Sequence, residues 1–306
     1  MSKIAFTFPG QGAQYVGMGK EFYEAYPVCR QVMDCASQVT GLSMPEICFE
    51  ENEKINITEY TQIAMLSVSA AILKLLEEKG LHSQVNAGLS LGEYGALLAS
   101  GVISLEDAFA PVRKRGIYMQ EAVPVGGAMS AVLGLDAAVI EQICQETEGI
   151  VSIANYNCPG QIVITGEAAA VEAASGKLKE AGARRVLPLK VSGPFHSAML
   201  TGAGEKLREA LKDVEIREFS TPYVTNVTAQ YVRRPDEVKE LLVQQVSSPV
   251  RWQQCVEAMI ADGVDTFVEI GPGRTLTGFL RKINRNVKGF HVEKPEDMEN
   301  LMKALA

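Results

Sequence analysis

Apolar and polar positions fall in blocks along this chain, and the blocks follow two different periods. Residues 3–8 (KIAFTF) are a short apolar run rich in β-formers, closed by Pro9-Gly10, which predicts a buried strand running into a tight loop. From about 60 to 79 the apolar residues recur at helical spacing as far as Lys79-Gly80, predicting a helix packed on a sheet. Residues 84–89 then read as a strand, Ser90 follows, and LGEYGALLAS is helix-like up to Gly101. Between 126 and 191 the rhythm changes. AMSAVLGL, IVSIANYN, QIVITGE and RRVLPLK have strand patterns, with helical patterns in AAVIEQICQETE and AAAVEAASGKLKEAG. The order strand–helix–strand–strand–helix–strand is that of a split-βαβ, ferredoxin-like unit. Its position in mid-chain makes it an insertion into a larger unit, which resumes with the strand TPYVTNV (221–227), a long helix around 235–246, a helix near 251–261 and the strand TFVEI (266–270) before Gly271-Pro272-Gly273. The expected class is α/β: a large α/β-hydrolase-like domain with a parallel sheet core, residues 1–125 and 192–306, and a ferredoxin-like (βαββαβ) small domain, residues 126–191. No internal repeat or low-complexity tract is visible.

Composition narrows the function classes. A length of 306 residues accommodates two compact units, and 47% apolar with 22% charged residues suits a soluble globular enzyme. A net charge of −8 argues against a surface devoted to nucleic acid. Two local basic tracts remain: Arg113-Lys114-Arg115, and Arg281, Lys282, Arg285 and Lys288. Each is either a solvated helix face or a patch for an acidic partner. Cys29, Cys35, Cys48, Cys144, Cys158 and Cys255 show no C-x-x-C pair and no metal-ligand rhythm, so they read as reduced thiols, and no metal site is expected. MSKIAFTFPG enters a strand pattern directly, without a secretory apolar segment, and no run nears the ~18 apolar residues of a membrane span. A cytoplasmic, monomeric protein with no membrane association is expected.

The candidate chemistry centres on Gly88-Leu89-Ser90-Leu91-Gly92. A serine hydroxyl is barely nucleophilic at neutral pH and needs both geometry and a base. Glycines flanking it let a strand turn abruptly into a helix, which lifts Ser90 Oγ clear of the sheet and leaves main-chain N–H groups, that of Leu91 first, facing a developing oxyanion. Taken alone the pattern also fits a serine capping a helix. Three histidines are available as base. His82 lies ahead of the strand and reads as a surface residue, whereas His196, in the turn-forming VSGPFHSAML, and His291, in GFHVEKPED, both stand as candidates. With His291 the chain formally meets the Ser…Asp/Glu…His order of an α/β-hydrolase esterase.

Several separate motifs in one order resemble the malonyl-CoA:acyl carrier protein transacylase family of type II fatty acid synthesis. They are FPGQGAQ (8–14), TQIA (61–64), GLSLGEYGALL (88–98), KRGIYMQEA (114–122), NYNCPGQIVITG (155–166), GPFHSAML (193–200), SPVRW (248–252) and EIGPG (269–273), and they span essentially the whole chain. The resemblance implies Ser90 as nucleophile and His196 as its base, with no acidic third member: the main-chain carbonyl of Gln245 orients the histidine. It implies Gln11 and Leu91 main-chain N–H groups as the oxyanion hole, and Gln62 and Asn157 as pocket residues. Arg115 is implied to grip the free carboxylate of a malonyl group, and Phe195 to leave little room for an α-methyl branch. Malonyl-CoA and acyl carrier protein are the implied partners, with a ping-pong malonyl-serine mechanism and no cofactor. The carrier is of the fatty acid type, or alternatively of the polyketide type. One departure stands out: the family often has histidine just before the nucleophile, and this chain has Leu89.

Overall fold

The computed structural model describes residues 2–305. Strand β1 (Ile4–Phe8) leads through a loop to α1 (Lys20–Ala25), α2 (Pro27–Thr40), α3 (Met44–Phe49) and the long α4 (Thr58–Glu78). Strand β2 (Val85–Gly88) turns directly into α5 (Gly92–Ala99), and α6 (Leu105–Ala122) follows. The middle of the chain forms β3 (Gly127–Leu133), α7 (Ala137–Gln145), β4 (Val151–Cys158), β5 (Gln161–Glu167), α8 (Ala168–Glu180) and β6 (Arg185–Pro188). The remainder is α9 (Thr201–Ala210), β7 (Tyr223–Val224), β8 (Tyr231–Val232), α10 (Pro235–Gln245), α11 (Trp252–Ala261), β9 (Thr266–Ile270), α12 (Thr275–Ile283), β10 (Lys288–Val292) and α13 (Pro295–Leu305).

The α/β expectation holds. One sheet runs β10-β9-β1-β2-β7-β8; its first five strands are parallel, and β8 closes the edge antiparallel to β7. Because side chains alternate across a strand, β1 feeds two cores. Phe6 and Phe8 pack into the layer that holds α2, α4 and α5, while Ala5 packs with Val85, Ala87, Trp252 and Phe267 in the layer of α11 and α12. Burial on both faces explains why neither β1 (IAFTF) nor β9 (TFVEI) alternates apolar and polar residues.

The second sheet is antiparallel throughout, in the order β4-β5-β3-β6. Val132, Ile140, Ile164, Ala174 and Leu178 form its own core beneath α7 and α8. Met129, Ala154 and Val163 face the other way and join the main core. Main-chain bonds tie the two sheets together: Tyr156 N–H donates to Val250 O (2.9 Å) and Val250 N–H to Ala154 O (2.7 Å).

The structure departs from the sequence reading in several places. The strand expected over 221–227 contains only Tyr223–Val224, because the next N–H groups leave the ladder: Thr225 N–H bonds Gln230 O and Asn226 N–H bonds the Glu93 carboxylate. The sequence reading offered no elements for 10–57, which holds α1 to α3, nor for the stretches that hold α6, α9, β8, α12, β10 and α13. Among the described residues no helix is long and apolar enough to cross a membrane.

Candidate active site

The β2–α5 turn is as tight as its two glycines allow. A Cβ on Gly88 would stand 1.9 Å from the Gly92 main chain, and one on Gly92 would stand 2.1 Å from Phe8 O, so any side chain at either position would collide with backbone. Between them Ser90 sits at φ 54°, and His196 at φ 60°. Apart from Ala229 these are the only non-glycine residues with positive φ among the described residues. Strain of this kind, on the order of 1–3 kcal/mol each, persists where surrounding bonds over-determine the backbone. Here Asn226 supplies them: its Oδ1 accepts from Ser90 N–H (2.7 Å) and its Nδ2 donates to Gly88 O (2.7 Å).

Ser90 Oγ lies 2.8 Å from His196 Nε2, and His196 Nδ1 lies 2.9 Å from Gln245 O. A carbonyl oxygen can only accept, so the proton sits on Nδ1 and Nε2 is left as an acceptor for the serine hydroxyl. The 201–210 and 235–245 helices bracket this arrangement, placing Gln245 at the last position of α10. Arg115, 1% exposed on α6, donates from Nη2 to Ser90 Oγ (3.1 Å) and to Gln245 Oε1 (3.0 Å), and from Nη1 to Gln62 Oε1 (2.6 Å). All three partners are uncharged oxygens, and Arg115 Nε has no partner among the described residues. Burial pulls the guanidinium pKa below its ordinary value, yet a group this basic stays protonated.

Burial, with the Arg115 charge beside it, pushes the His196 pKa down to about 4 against the pull of the bonds to the Gln245 and Ser248 main chain. The resting imidazole is therefore neutral, with Nε2 unprotonated and able to accept the serine proton. Burial also pushes the Glu93 carboxyl up to about 7, opposed by bonds from Asn226 and Gln245 and by Arg115.

The pair opens on a cavity of about 410 Å³ whose walls come from both sheets. Gln11, Gln62, Leu91, Arg115, Asn157 and Phe195 all line it, so the structure gathers the sequence-derived residues at one place. Gln11 Nε2 is anchored to Thr58 Oγ1 (3.0 Å), and neither the Gln11 nor the Leu91 main-chain N–H has an internal acceptor among the described residues. Leu89 also lines the cavity and packs with the α12 side of the core. His291 does not belong here: it lies on β10, separated from β2 by β9 and β1, and its Nε2 faces Asp297 Oδ1 at 3.5 Å. His82 is exposed.

The tract Arg113-Lys114-Arg115 does not form one patch, because helical spacing sends its members apart. Arg115 is buried, Arg113 pairs with Glu59 (2.8 Å) over the Tyr60 ring, and only Lys114 is exposed. Arg281, Lys282, Arg285 and Lys288 are all exposed, at the end of a helix whose Thr275, Leu276 and Phe279 border the cavity.

Three contributions escaped the sequence reading: Glu93, Asn226 and the Gln245 side chain. Gln245 Nε2 donates to Glu93 Oε2 (2.6 Å) and to Ser90 O (3.0 Å), and Asn226 N–H donates to Glu93 Oε2 (3.1 Å). The signals were a lone acid in the first turn of the otherwise apolar α5, and polar Thr225-Asn226 at the end of a buried strand.

A family model described as the acyl transferase domain matches residues 5–295. The malonyl CoA-acyl carrier protein transacylase of Bacillus subtilis is 46% identical over 310 residues, covering 100% of this chain and 98% of its own length. A Staphylococcus aureus protein of the same name is 42% identical, with 98% of each covered. The crystal structure of malonyl CoA-acyl carrier protein transacylase from Clostridium perfringens superposes with a TM-score of 0.96 at 44% identity, over 99% of this chain and 97% of that one. A malonyl-transacylase solved in complex with a type II PKS acyl-carrier protein superposes equally well, TM-score 0.96 at 40% identity, over 99% of this chain and 100% of that one. With matches this long on a site built around a serine, a neutral histidine and a buried arginine, the chain belongs to the acyl transferase domain family, among its malonyl CoA-acyl carrier protein transacylases.

Proposed function

We propose that the protein moves a malonyl group from CoA to the phosphopantetheine thiol of an acyl carrier protein, with Ser90 as nucleophile and His196 as general base and acid. The observation that carries this reading is Arg115: a buried cation which, among the described residues, is held only by neutral oxygens, lies 3.1 Å from Ser90 Oγ and leaves its Nε unpartnered. Such a fork is complementary to an acyl group that brings its own carboxylate.

In the first half-reaction Ser90 Oγ attacks the thioester carbonyl carbon as His196 Nε2 takes the hydroxyl proton. The Gln11 and Leu91 N–H groups receive the oxyanion. The C–S bond breaks, the CoA sulfur takes the proton from His196, and a malonyl-serine ester remains with its carboxylate on Arg115. In the second half-reaction the pantetheine thiol gives its proton to His196 and attacks the ester carbonyl, and Ser90 leaves with that proton. A neutral carbonyl behind the histidine stabilises imidazolium less than a carboxylate would, which is adequate for a thioester. Gln62 holds the arginine, Asn157 lines the acyl site, and the Phe195 ring restricts an α-methyl branch.

We assign the docking of an acidic carrier to the exposed Arg281, Lys282, Arg285 and Lys288. The same reading takes residues 126–191 as a ferredoxin-like insertion, supported by the β4-β5-β3-β6 order, in an α/β-hydrolase-like catalytic domain of residues 1–125 and 192–306, supported by the parallel sheet and the serine elbow. The unpaired cysteines support a reducing, cytoplasmic setting.

Mass spectrometry after incubation with malonyl-CoA is expected to show a malonyl adduct on Ser90, absent in Ser90→Ala and in His196→Ala and present in His291→Ala. Loss of the adduct in His291→Ala alone would overturn the assignment. In competition among malonyl-, acetyl- and methylmalonyl-CoA the malonyl group is expected to win, and Arg115→Ala to cost malonyl transfer about tenfold or more. Equal transfer of all three by the unaltered protein would remove Arg115 and Phe195 from their roles.

A further inference from the structure

Gln245 meets Ser90, His196 and Arg115 at once. Its main-chain carbonyl accepts from His196, its Oε1 accepts from Arg115 Nη2, and its Nε2 donates to Ser90 O and to Glu93 Oε2. The two ends of a side-chain amide are of nearly equal size and opposite polarity, so something must decide which end faces the arginine. A flipped Gln245 would turn an N–H₂ group onto the guanidinium and leave a carbonyl oxygen against Ser90 O and a carboxylate.

We infer that Glu93 is a positioning residue for acyl selectivity: it pins the Gln245 amide so that the oxygen end holds the Arg115 fork ready for the substrate carboxylate. Glu93 is fully buried, and a carboxylate there accepts from Gln245 Nε2 at 2.6 Å and from Asn226 N–H at 3.1 Å, the shorter bond going to the amide that must not turn. Its position follows from the elbow, since Glu93 is one residue past Gly92 and in the first turn of α5. Above its pKa of about 7 the Glu93 negative charge thus lies one amide away from Arg115 rather than on it. A carboxylate in direct contact would occupy the fork and compete with the acyl group; a carboxylate behind Gln245 supports the cation and leaves its N–H groups available. This inference rests on the reading of Arg115 as the carboxylate-binding residue.

The test compares kcat/KM for malonyl-CoA and acetyl-CoA above about pH 8, where Glu93 is ionised, in Glu93→Gln, Gln245→Met and Arg115→Ala, with thermal melts of each. An amide at 93 both donates and accepts, so it no longer enforces one orientation of Gln245. Methionine at 245 keeps the main-chain carbonyl for His196 and removes the link. Both variants are expected to lower the malonyl-to-acetyl ratio by about tenfold, chiefly through a higher KM for malonyl-CoA. A general loss of structure would lower both substrates together and leave the ratio unchanged. If Arg115→Ala collapses the ratio while Glu93→Gln and Gln245→Met retain it, the role given to Glu93 is wrong and that of Arg115 stands. If Arg115→Ala retains the ratio, the reading of Arg115 itself fails. Should Glu93→Gln show no cooperative melt, Gln245→Met decides the matter alone.

Discussion

A histidine 5% exposed beside a guanidinium is an unusual base, and its environment gives its pH behaviour a definite sign. The His196 pKa falls from the ordinary 6.5 to about 4, so the free enzyme keeps its base unprotonated well into the acid range. The acid limb of kcat/KM, which reports the free enzyme, is expected near pH 4 to 5 rather than between 6 and 7; a limb at the ordinary histidine value would show that the ring is not shielded in this way. Stability follows the same residue. Between these two values the unfolded chain binds a proton that the folded chain refuses, so the stability His196 contributes is present above about 6.5 and is lost as pH falls toward 4. His196→Gln is expected to flatten that part of the stability–pH curve, measured by denaturant unfolding at each pH.

Among the elements, the β2–α5 elbow carries the tightest constraint. Gly92→Ala would drive a methyl group into Phe8 O, which a parallel neighbour strand cannot yield without breaking the sheet. A loss of about 3 kcal/mol or more is expected, together with loss of Ser90 acylation; a variant melting with the unaltered protein would show that the turn relaxes. Helix α12 offers a contrasting test, because its charges are exposed and touch no reacting group. Arg281→Glu with Lys282→Glu is expected to raise KM for the carrier several-fold, most at low salt, while Ser90 acylation by malonyl-CoA stays within about twofold. Carrier kinetics unaffected at every ionic strength would move the docking surface elsewhere.

At the scale of the molecule, the cavity exists only because two sheets meet. Ser90 comes from the parallel sheet, whereas Met129, Asn157 and Val163 come from the antiparallel one, and Val250 is bonded to β4 two residues before Trp252. The single tryptophan is buried in the layer of α11 and α12, next to that junction. Its fluorescence and far-UV circular dichroism are therefore expected to trace the same denaturant midpoint; an earlier transition in one of them would mean that the small sheet unfolds by itself.

What the sequence determined by itself is what local spacing can encode. Alternation and helical period announced the strand–elbow–helix, the middle block of four strands and two helices, and the glycines that only a tight turn requires. Motif resemblance added Arg115, Gln62 and Gln245 as names without geometry. Motif resemblance also points to His196 rather than His291; the tertiary structure supplies the reason, because two loops 106 residues apart close on one point while β10 lies at the far edge of the sheet. It also decided the polar support beneath the nucleophile. Glu93 meets Asn226 across 133 residues and Gln245 across 152, and hydrogen bonds that span such distances leave no period in the chain. A buried polar group must find its partner wherever the fold brings one, and only the folded backbone fixes which donor faces which acceptor.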